Sequence, residues 1–424
     1  MTSFRFIHTA DIHLDSPLIG LAGQEGSAAD RIRTATREAF ENLVGLALHE
    51  EVAFVIIAGD LYDGDWRDYQ TGLFFVRQMG RLATAGVPVF LLYGNHDAES
   101  QITRRLVLPE NVNAFSSRKP GTFQLKELGV ALHGQSYRQR DIADNLVPAY
   151  PEPIAGMFNI GVLHTGLGGM GGHANYAPCA LDDLVNKGYD YWALGHVHQT
   201  AVLHERPHVV FPGNLQGRHI REAGPKGAYL LSVEDGELVE ATSVASDVVR
   251  WARLTVPLDG CTRVTEAVDR VREAIENAVA RDADGQLLAC RVELTGQTDT
   301  HGGLLASTEQ LLAEARSTAL GLGEDLAWIE RIVVATRPTL DAATLRARED
   351  ALGELQRMLE DAAEDAELQQ LLKADIGELV RKLPHELRAD PEDAVLKVAV
   401  DGDYAGLIDH VSGFLVARIT TDGQ

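Results

Sequence analysis

Five short polar clusters, each closing an apolar run of β-like sequence, constrain this chain more than any other feature. They read Asp11-Ile12-His13, Gly59-Asp60, Gly94-Asn95-His96-Asp97, Gly161-Val162-Leu163-His164 and Gly195-His196-Val197-His198. Ahead of them stand Phe4-Arg5-Phe6-Ile7, Ala53–Ala58, Val87–Tyr93, Phe158–Leu163 and Tyr189–Leu194. Such runs suit buried strands, and the ends of strands are where an α/β sheet presents ligands. Collectively the clusters offer Asp, Asn and His without a thiolate, a set of hard oxygen and imidazole donors. That set suits two divalent ions (Mn²⁺, Fe²⁺ or Zn²⁺) sharing a carboxylate, and it is the wrong set for a structural zinc site. A lone His after a strand is usually a satisfied core or surface residue. Five clusters in register with five strand ends are not explained that way, so the sequence predicts a two-metal enzyme.

In this order and spacing the clusters resemble the calcineurin-like metallophosphoesterases, whose signature is D-x-H, G-D, G-N-H-[DE], a lone H and G-H-x-H. Within that superfamily the chain is most similar to the bacterial SbcD nucleases and the YhaO-type DNA-repair exonucleases. The text that carries the likeness is His8–Asp15, Ala58–Asp63, Tyr93–Asp97 and Leu194–His198, followed by Phe211-Pro212-Gly213-Asn214-Leu215-Gln216-Gly217-Arg218-His219. It spans residues 4–245. By residue-wise resemblance one metal takes Asp11, His13, Asp60 and His198, and the other takes Asp60, Asn95, His164 and His196, with Asp60 bridging. A shared carboxylate holds two dications about 3.5–4 Å apart, close enough to clamp one phosphodiester. His96, next to the ligand Asn95, is the candidate acid for the departing oxygen, since imidazole titrates near working pH. Asp97 is expected to hold the His96 ring and favour its protonated form. Asp63 stands where eukaryotic and archaeal relatives tend to carry His.

Length and composition bound the rest. At 424 residues the chain has room for two or three domains, and 45% apolar with 24% charged residues is ordinary for a globular protein. No apolar run approaches the roughly 20 residues that span a bilayer, and Met1–Phe6 leads directly into the first strand, so no membrane association is expected. Cys179, Cys261 and Cys290 are odd in number and far apart, which disfavours a disulfide framework. A cytoplasmic protein is expected. The net charge of −24 opposes approach to DNA at long range, and bound cations offset that locally. Residues 341–424 carry 19 acids against 9 bases, a net −10.

Apolar spacing predicts helices over Arg31–Glu51 and Thr71–Ala85, alternating with the first three strands. From Val112 short strands dominate, which together predict an α/β (α+β) fold, a two-sheet sandwich flanked by helices. The glycine-rich Gly166–Gly172 lacks phosphate-loop spacing and reads as a mobile loop beside His164. The expected domains are 1–247, the phosphoesterase; 248–338, a β-α-β-α-β module; and 339–424, a helical tail. Ser307-Thr308-Glu309-Gln310 reads as a capping box. In SbcD-like nucleases such a module caps the site and helps select DNA. The tail has apolar stripes at Leu352, Leu355, Met358, Leu359 and at Leu368, Leu371, Leu372, Ile376, Leu379, Leu383. With little of its own domain left to bury, it is expected to dock on a coiled-coil ATPase of the SbcC or YhaN kind. The resemblance allows a homodimer as well.

The expected activity is that of a Mn²⁺-dependent DNA nuclease subunit, degrading ends from the 3′ side or cutting single strands. A phosphatase or small-molecule phosphodiesterase is the alternative, although Gly59-Asp60-Leu61-Tyr62-Asp63-Gly64-Asp65 departs from the phosphatase pattern G-D-x-V-D-R-G. A scaffold that has lost its metals conflicts with donors at every position. Arg138, Arg140, Arg218, Arg221 and Lys226 are basic loop residues in an acidic chain and therefore candidates for phosphate contact. His8, His133, His204 and His208 lack ligand spacing and are read as structural.

Overall fold

Period-two alternation decides how the N-terminal half folds. The computed structural model describes residues 3–18, 27–63, 69–99, 106–170, 175–323, 325–339, 342–383, 388 and 394–422. Two compact units emerge: Met1–Ala252 with Arg281–Ala289 and Glu324–Trp328, and Arg253–Ala280 with Cys290–Gly323 and Ile329–Gln424. The first unit begins β1 (Ser3–Thr9), α1 (Ser27–His49), β2 (Phe54–Ala58), α2 (Tyr69–Thr84), β3 (Val89–Leu92) and α3 (Asn95–Glu99). Then come β4 (Val112–Ala114), β5 (Gly121–Leu125), β6 (Val130–Gly134), β7 (Phe158–His164), α4 (Leu181–Asn186) and β8 (Tyr191–Gly195). It ends with β9 (Ala201–Glu205), β10 (His208–Phe211), β11 (Gly227–Glu234) and β12 (Glu237–Ala245).

Two six-stranded sheets form, ordered β12-β11-β1-β2-β3-β4 and β5-β6-β7-β8-β10-β9. Strands β1 to β4 run parallel, as do β6, β7, β8 and β10, while β11, β12, β5 and β9 join by antiparallel pairing. Alternate residues of each central strand serve opposite faces. Phe6, Phe54, Ile56 and Phe90 share one core cluster with Ile160, Val162, Tyr191 and Val210 of the other sheet. Ile7, Val55, Ile57, Val89 and Leu91 pack instead on Phe40, Leu43 and Val44 of α1 and on Phe75, Met79 and Leu82 of α2. On the far side Leu163, Trp192, Leu194, Val209 and Phe211 pack with Leu184 of α4. This is the expected sandwich, with central strands buried on both faces because each face meets a separate layer. The apolar runs do not reveal β12, an edge strand whose alternating residues, Glu237 and Glu240 among them, are largely exposed.

The rest of the chain builds a three-stranded sheet of order β13-β14-β15. Its elements are β13 (Val249–Pro257), α5 (Val264–Asp282), β14 (Leu287–Thr295), α6 (His301–Ala306), α7 (Thr308–Leu322) and β15 (Ala327–Val334). The stripe on α5 is buried through Ala267, Val271, Ile275 and Ala278, one residue per turn. The capping box does not form at Ser307, whose φ of −110° and ψ of 17° carry no side-chain cap. Its N–H already donates to Gly303 O and its carbonyl accepts from Leu311 N, so α6 runs into α7 without a free helix start.

Among the described residues, helices α8 (Ala342–Arg346), α9 (Ala351–Glu364), α10 (Ala366–Lys382), α11 (Ala394–Asp401) and α12 (Tyr404–Asp422) follow. Asp350 caps α9 and Asp365 caps α10 by accepting from the first-turn N–H groups. The expectation that these helices have little of their own domain to bury against is not met. Helix α12 packs along α6 and α9, so these helices find a surface within their own unit. Leu352, Leu355, Leu359, Leu368, Leu372 and Ile376 are half-buried, whereas Met358, Leu371 and Leu379 are exposed. Among the described residues no helix is long and apolar enough to cross a membrane.

Candidate metal centre

The loops after β1 and β2 stay zipped together beyond the strand ends. Asp11 N donates to Gly59 O (3.0 Å), His13 N to Asp60 O (3.0 Å) and Leu14 N to Leu61 O (2.9 Å). Asp11, His13, Asp60 and His196 all have left-handed backbone, with φ of 49°, 45°, 49° and 100°. That conformation is costly for residues with a Cβ and concentrates at functional sites. The glycines of the clusters have a steric reason. A Cβ at Gly59 would lie 2.2 Å from His164 Nδ1, and one at Gly94 would lie 2.3 Å from Asp60 Oδ1. The chain must be bare there for donors to converge.

Two donor groups are Asp11, His13 and His198, and Asp60, His164 and His196; a third, His13, Asp60 and His96, shares residues with both. In the first, His13 Nε2 and His198 Nε2 are 3.2 Å apart, with Asp11 Oδ1 3.8 Å from His198 Nε2. In the second, Asn95 Oδ1 is 2.9 Å from His164 Nε2 and 3.1 Å from His196 Nδ1. Asp60 Oδ2 reaches both, 3.3 Å from His164 Nε2 and 3.9 Å from His13 Nε2. Its other oxygen accepts from His96 N (3.0 Å). Asp11 in turn accepts from His196 N with both oxygens, at 3.1 and 2.9 Å. The structure thus brings together all seven expected ligands, with Asp60 between the two sets.

The electrostatics suit cations. Burial pushes Asp11 up to about 7 and His13 down to about 4. Burial also opposes a charge on His164, yet Asp60 and Asp11 outweigh it and raise that imidazole to about 9. For Asp60 burial works against ionisation, but His164, His96 and His13 hold it well below the usual carboxylate range. His13 Nε2 and His198 Nε2 turn toward each other at 3.2 Å; with both rings protonated at Nδ1 the two are acceptors, an arrangement a divalent ion satisfies and a hydrogen bond does not. The donor set therefore fits two divalent ions.

Asp97 does not hold the His96 ring as expected. Its carboxylate faces the backbone and accepts from Leu61 N, Tyr62 N and Gly94 N at 2.9–3.1 Å, tying two ligand loops together. Burial and Asp60 push it up to about 6. Asp63 takes the place instead, with Oδ1 3.2 Å from His96 Nδ1 and 3.4 Å from His13 Nδ1. Burial works against a charged His96, but the Asp63 hydrogen bond and the Asp60 charge raise its pKa above the ordinary value. The His96 side chain is 31% exposed, so it stands at the rim rather than inside.

Glu222 escapes sequence reasoning, and Lys226 takes a role other than the one expected. Glu222 is buried and accepts from His198 Nδ1 at 2.6 Å. Lys226 is buried too and donates to His198 O (2.8 Å), which removes it from the candidates for phosphate contact. Neither sits in a metal motif; a glutamate four residues after Arg218 is the only trace in the sequence. Arg218 does reach the centre, its Nη2 3.3 Å from His198 Nδ1 and its Nη1 3.4 Å from Ser16 Oγ. Arg138 and Arg221 are exposed. His8 belongs to the core: Nε2 donates to Leu194 O and Nδ1 accepts from Tyr191. Gly166–Met170 forms a tight turn with bonds back to Gly166 O, and residues 171–174 of the glycine-rich stretch lie outside the described residues.

Residues 4–200 match the family model for calcineurin-like phosphoesterases, and residues 251–337 match that for the middle domain of the metallophosphoesterase YhaO. The metallophosphoesterase YhaO of Bacillus subtilis (strain 168) is 37% identical over 277 residues, covering 64% of this chain and 68% of that one. Two archaeal proteins named DNA double-strand break repair protein Mre11 also match. The one from Sulfurisphaera tokodaii is 25% identical, covering 48% of this chain and 51% of its own length. The one from Methanopyrus kandleri is 26% identical, covering 66% of this chain and 65% of its own length. Fold and site thus define a metal-dependent phosphoesterase. The chain belongs to the calcineurin-like metallophosphoesterases, in the SbcD/YhaO-type family.

Proposed function

We propose that the chain is a Mn²⁺-dependent DNA nuclease subunit in DNA repair, acting as a 3′-5′ exonuclease, a single-strand endonuclease or both. The observation that carries this reading is the His96–Asp63 pair at the rim of two donor groups joined by Asp60. A phosphodiester departs as a poor alkoxide, so a held, partly exposed imidazolium suits that chemistry better than it suits an activated ester. Two bound divalent ions supply Lewis acidity toward the phosphoryl group and an activated water. Asp11, His13, Asp60 and His198 would hold one ion; Asp60, Asn95, His164 and His196 the other. His96 donates a proton from its ring to the departing oxygen, and Asp63 keeps that ring charged and oriented. Arg218 offers its guanidinium to a phosphate oxygen, with Arg138 and Arg221 as outer contacts. The similarity to proteins named for double-strand break repair supports DNA as the substrate.

We further read the outward leucines of α10 as the docking face for an SbcC- or YhaN-like coiled-coil ATPase in the cytoplasm, with a homodimer compatible with that assembly. Such a partner would supply DNA-holding basic surface to a chain of net charge −24. The test is a digest of labelled single- and double-stranded DNA with Mn²⁺ beside a panel of phosphomonoesters. Cleavage of DNA that disappears in His96→Ala is the expected result. Turnover of phosphomonoesters alone would move the chain to the phosphatase reading.

A further inference from the structure

The two donor groups are backed differently. His164 directs Nδ1–H at a neutral acceptor, Ala58 O, at 2.9 Å. His198 directs Nδ1–H at the buried carboxylate of Glu222, at 2.6 Å. That carboxylate is itself held on every side: Oε2 accepts from Arg218 N (2.7 Å) and Asn214 Nδ2 (2.9 Å), and Oε1 lies 3.4 Å from Arg218 Nη2. Lys226 fixes the same histidine from its backbone side through His198 O (2.8 Å). Together they hold the His198 ring with Nε2 turned toward His13 Nε2, 3.2 Å away.

We propose that Glu222 is a positioning residue for metal binding at the Asp11–His13–His198 position. By accepting from Nδ1 it fixes the tautomer that leaves Nε2 bare, aims that nitrogen at Asp11 and His13, and makes the imidazole a stronger donor. The carbonyl behind His164 orients its ring without adding charge, so the effect is confined to one of the two positions. The inference rests on the two-metal reading and adds an asymmetry to it. Outer partners of a metal-bound histidine typically contribute roughly 10- to 100-fold in affinity.

The experiment is calorimetric titration of the full chain, stripped of metal, with Mn²⁺. Wild type should take up two ions. His198→Ala identifies the step that belongs to this position. Glu222→Gln, which keeps volume and hydrogen-bonding capacity, should weaken that same step roughly 10- to 100-fold and leave the other within about 2-fold. Should Glu222→Gln fail to fold by circular dichroism, Glu222→Asp, which keeps the charge but falls short of His198, is read in the same way. Uptake of fewer than two ions by wild type overturns the two-metal reading and this inference with it. Two ions in wild type and an unchanged isotherm in the variant, or equal weakening of both steps, overturns the inference alone.

Discussion

The two units share one use of buried charge, since Arg250 and Asp247 of the first unit are buried and pair at 3.1 and 3.0 Å, but only the first shows a second use. In the second unit Arg291 and Glu330 are both buried and meet in a bidentate pair at 2.7 and 2.6 Å, so each cancels the other. In the first unit Asp11, His13, Asp60, His164 and His196 are buried within one group, and the carboxylates and imidazoles converge on shared points instead of pairing off. Paired burial is architecture: it costs desolvation, returns it through geometry and leaves nothing to react. Convergent burial is tolerated because a ligand completes it, and it marks the reactive end of a molecule. Among the described residues the groups that could hold a metal all lie in the first unit.

The sharpest way to break the contrast is Asp60→Ala, which removes the shared donor. Metal analysis should find most of the bound divalent ion gone and phosphodiesterase activity at background; full activity would end the two-metal reading. Next comes His96→Ala, expected to keep its metals while the chemical step slows by about 10²–10⁴-fold. The loss should be much smaller with a nitrophenyl ester, whose leaving group needs no proton; an equal loss on both substrates would remove His96 from the acid's role.

Asp63→Asn is expected to act more mildly and through pH. In the proposed role His96 works protonated, so activity is expected to fall as pH rises through its pKa, and Asp63 together with Asp60 raises that pKa. The variant's alkaline fall should therefore move to lower pH, and an unmoved profile would leave Asp63 without this role. The smallest effect belongs to the second unit. Leu371→Glu with Leu379→Glu changes two exposed residues, so the melting curve should shift by no more than about 0.5 kcal/mol per site and nuclease activity of the isolated chain should hold. Pull-down with the ATPase should fail; retained capture would place the docking face elsewhere.

The convergence of the candidate ligands is legible because a strand places them: once the apolar run is read, its last residues must emerge at the sheet's end. Asp97 and Asp63 were harder to tell apart. Both follow a ligand within three residues, and only the fold of α3 turns Asp97 toward backbone N–H groups and leaves Asp63 to face two imidazoles. Glu222 was beyond reach for the same reason, since it lies 24 residues from His198 and arrives through a turn with no periodic signal. The helical tail erred in the other direction. Its stripes were visible, but spacing does not say whether a stripe faces its own unit or a partner, and here several residues are covered from within.

The left-handed backbone at Asp11, His13, Asp60 and His196 has a historical consequence. Aspartate, asparagine and histidine are the non-glycine residues most at ease there, and two of the three are also the residues the chemistry demands. Mutational drift at these positions is therefore narrow. A descendant freed from catalysis would tend to acquire glycine or asparagine at 11, 13, 60 and 196, while valine or isoleucine would unfold the turns before selection could sample them. Lost activity in this lineage should thus leave a recognisable scar, with ancestry written in backbone angles after the donors themselves are gone.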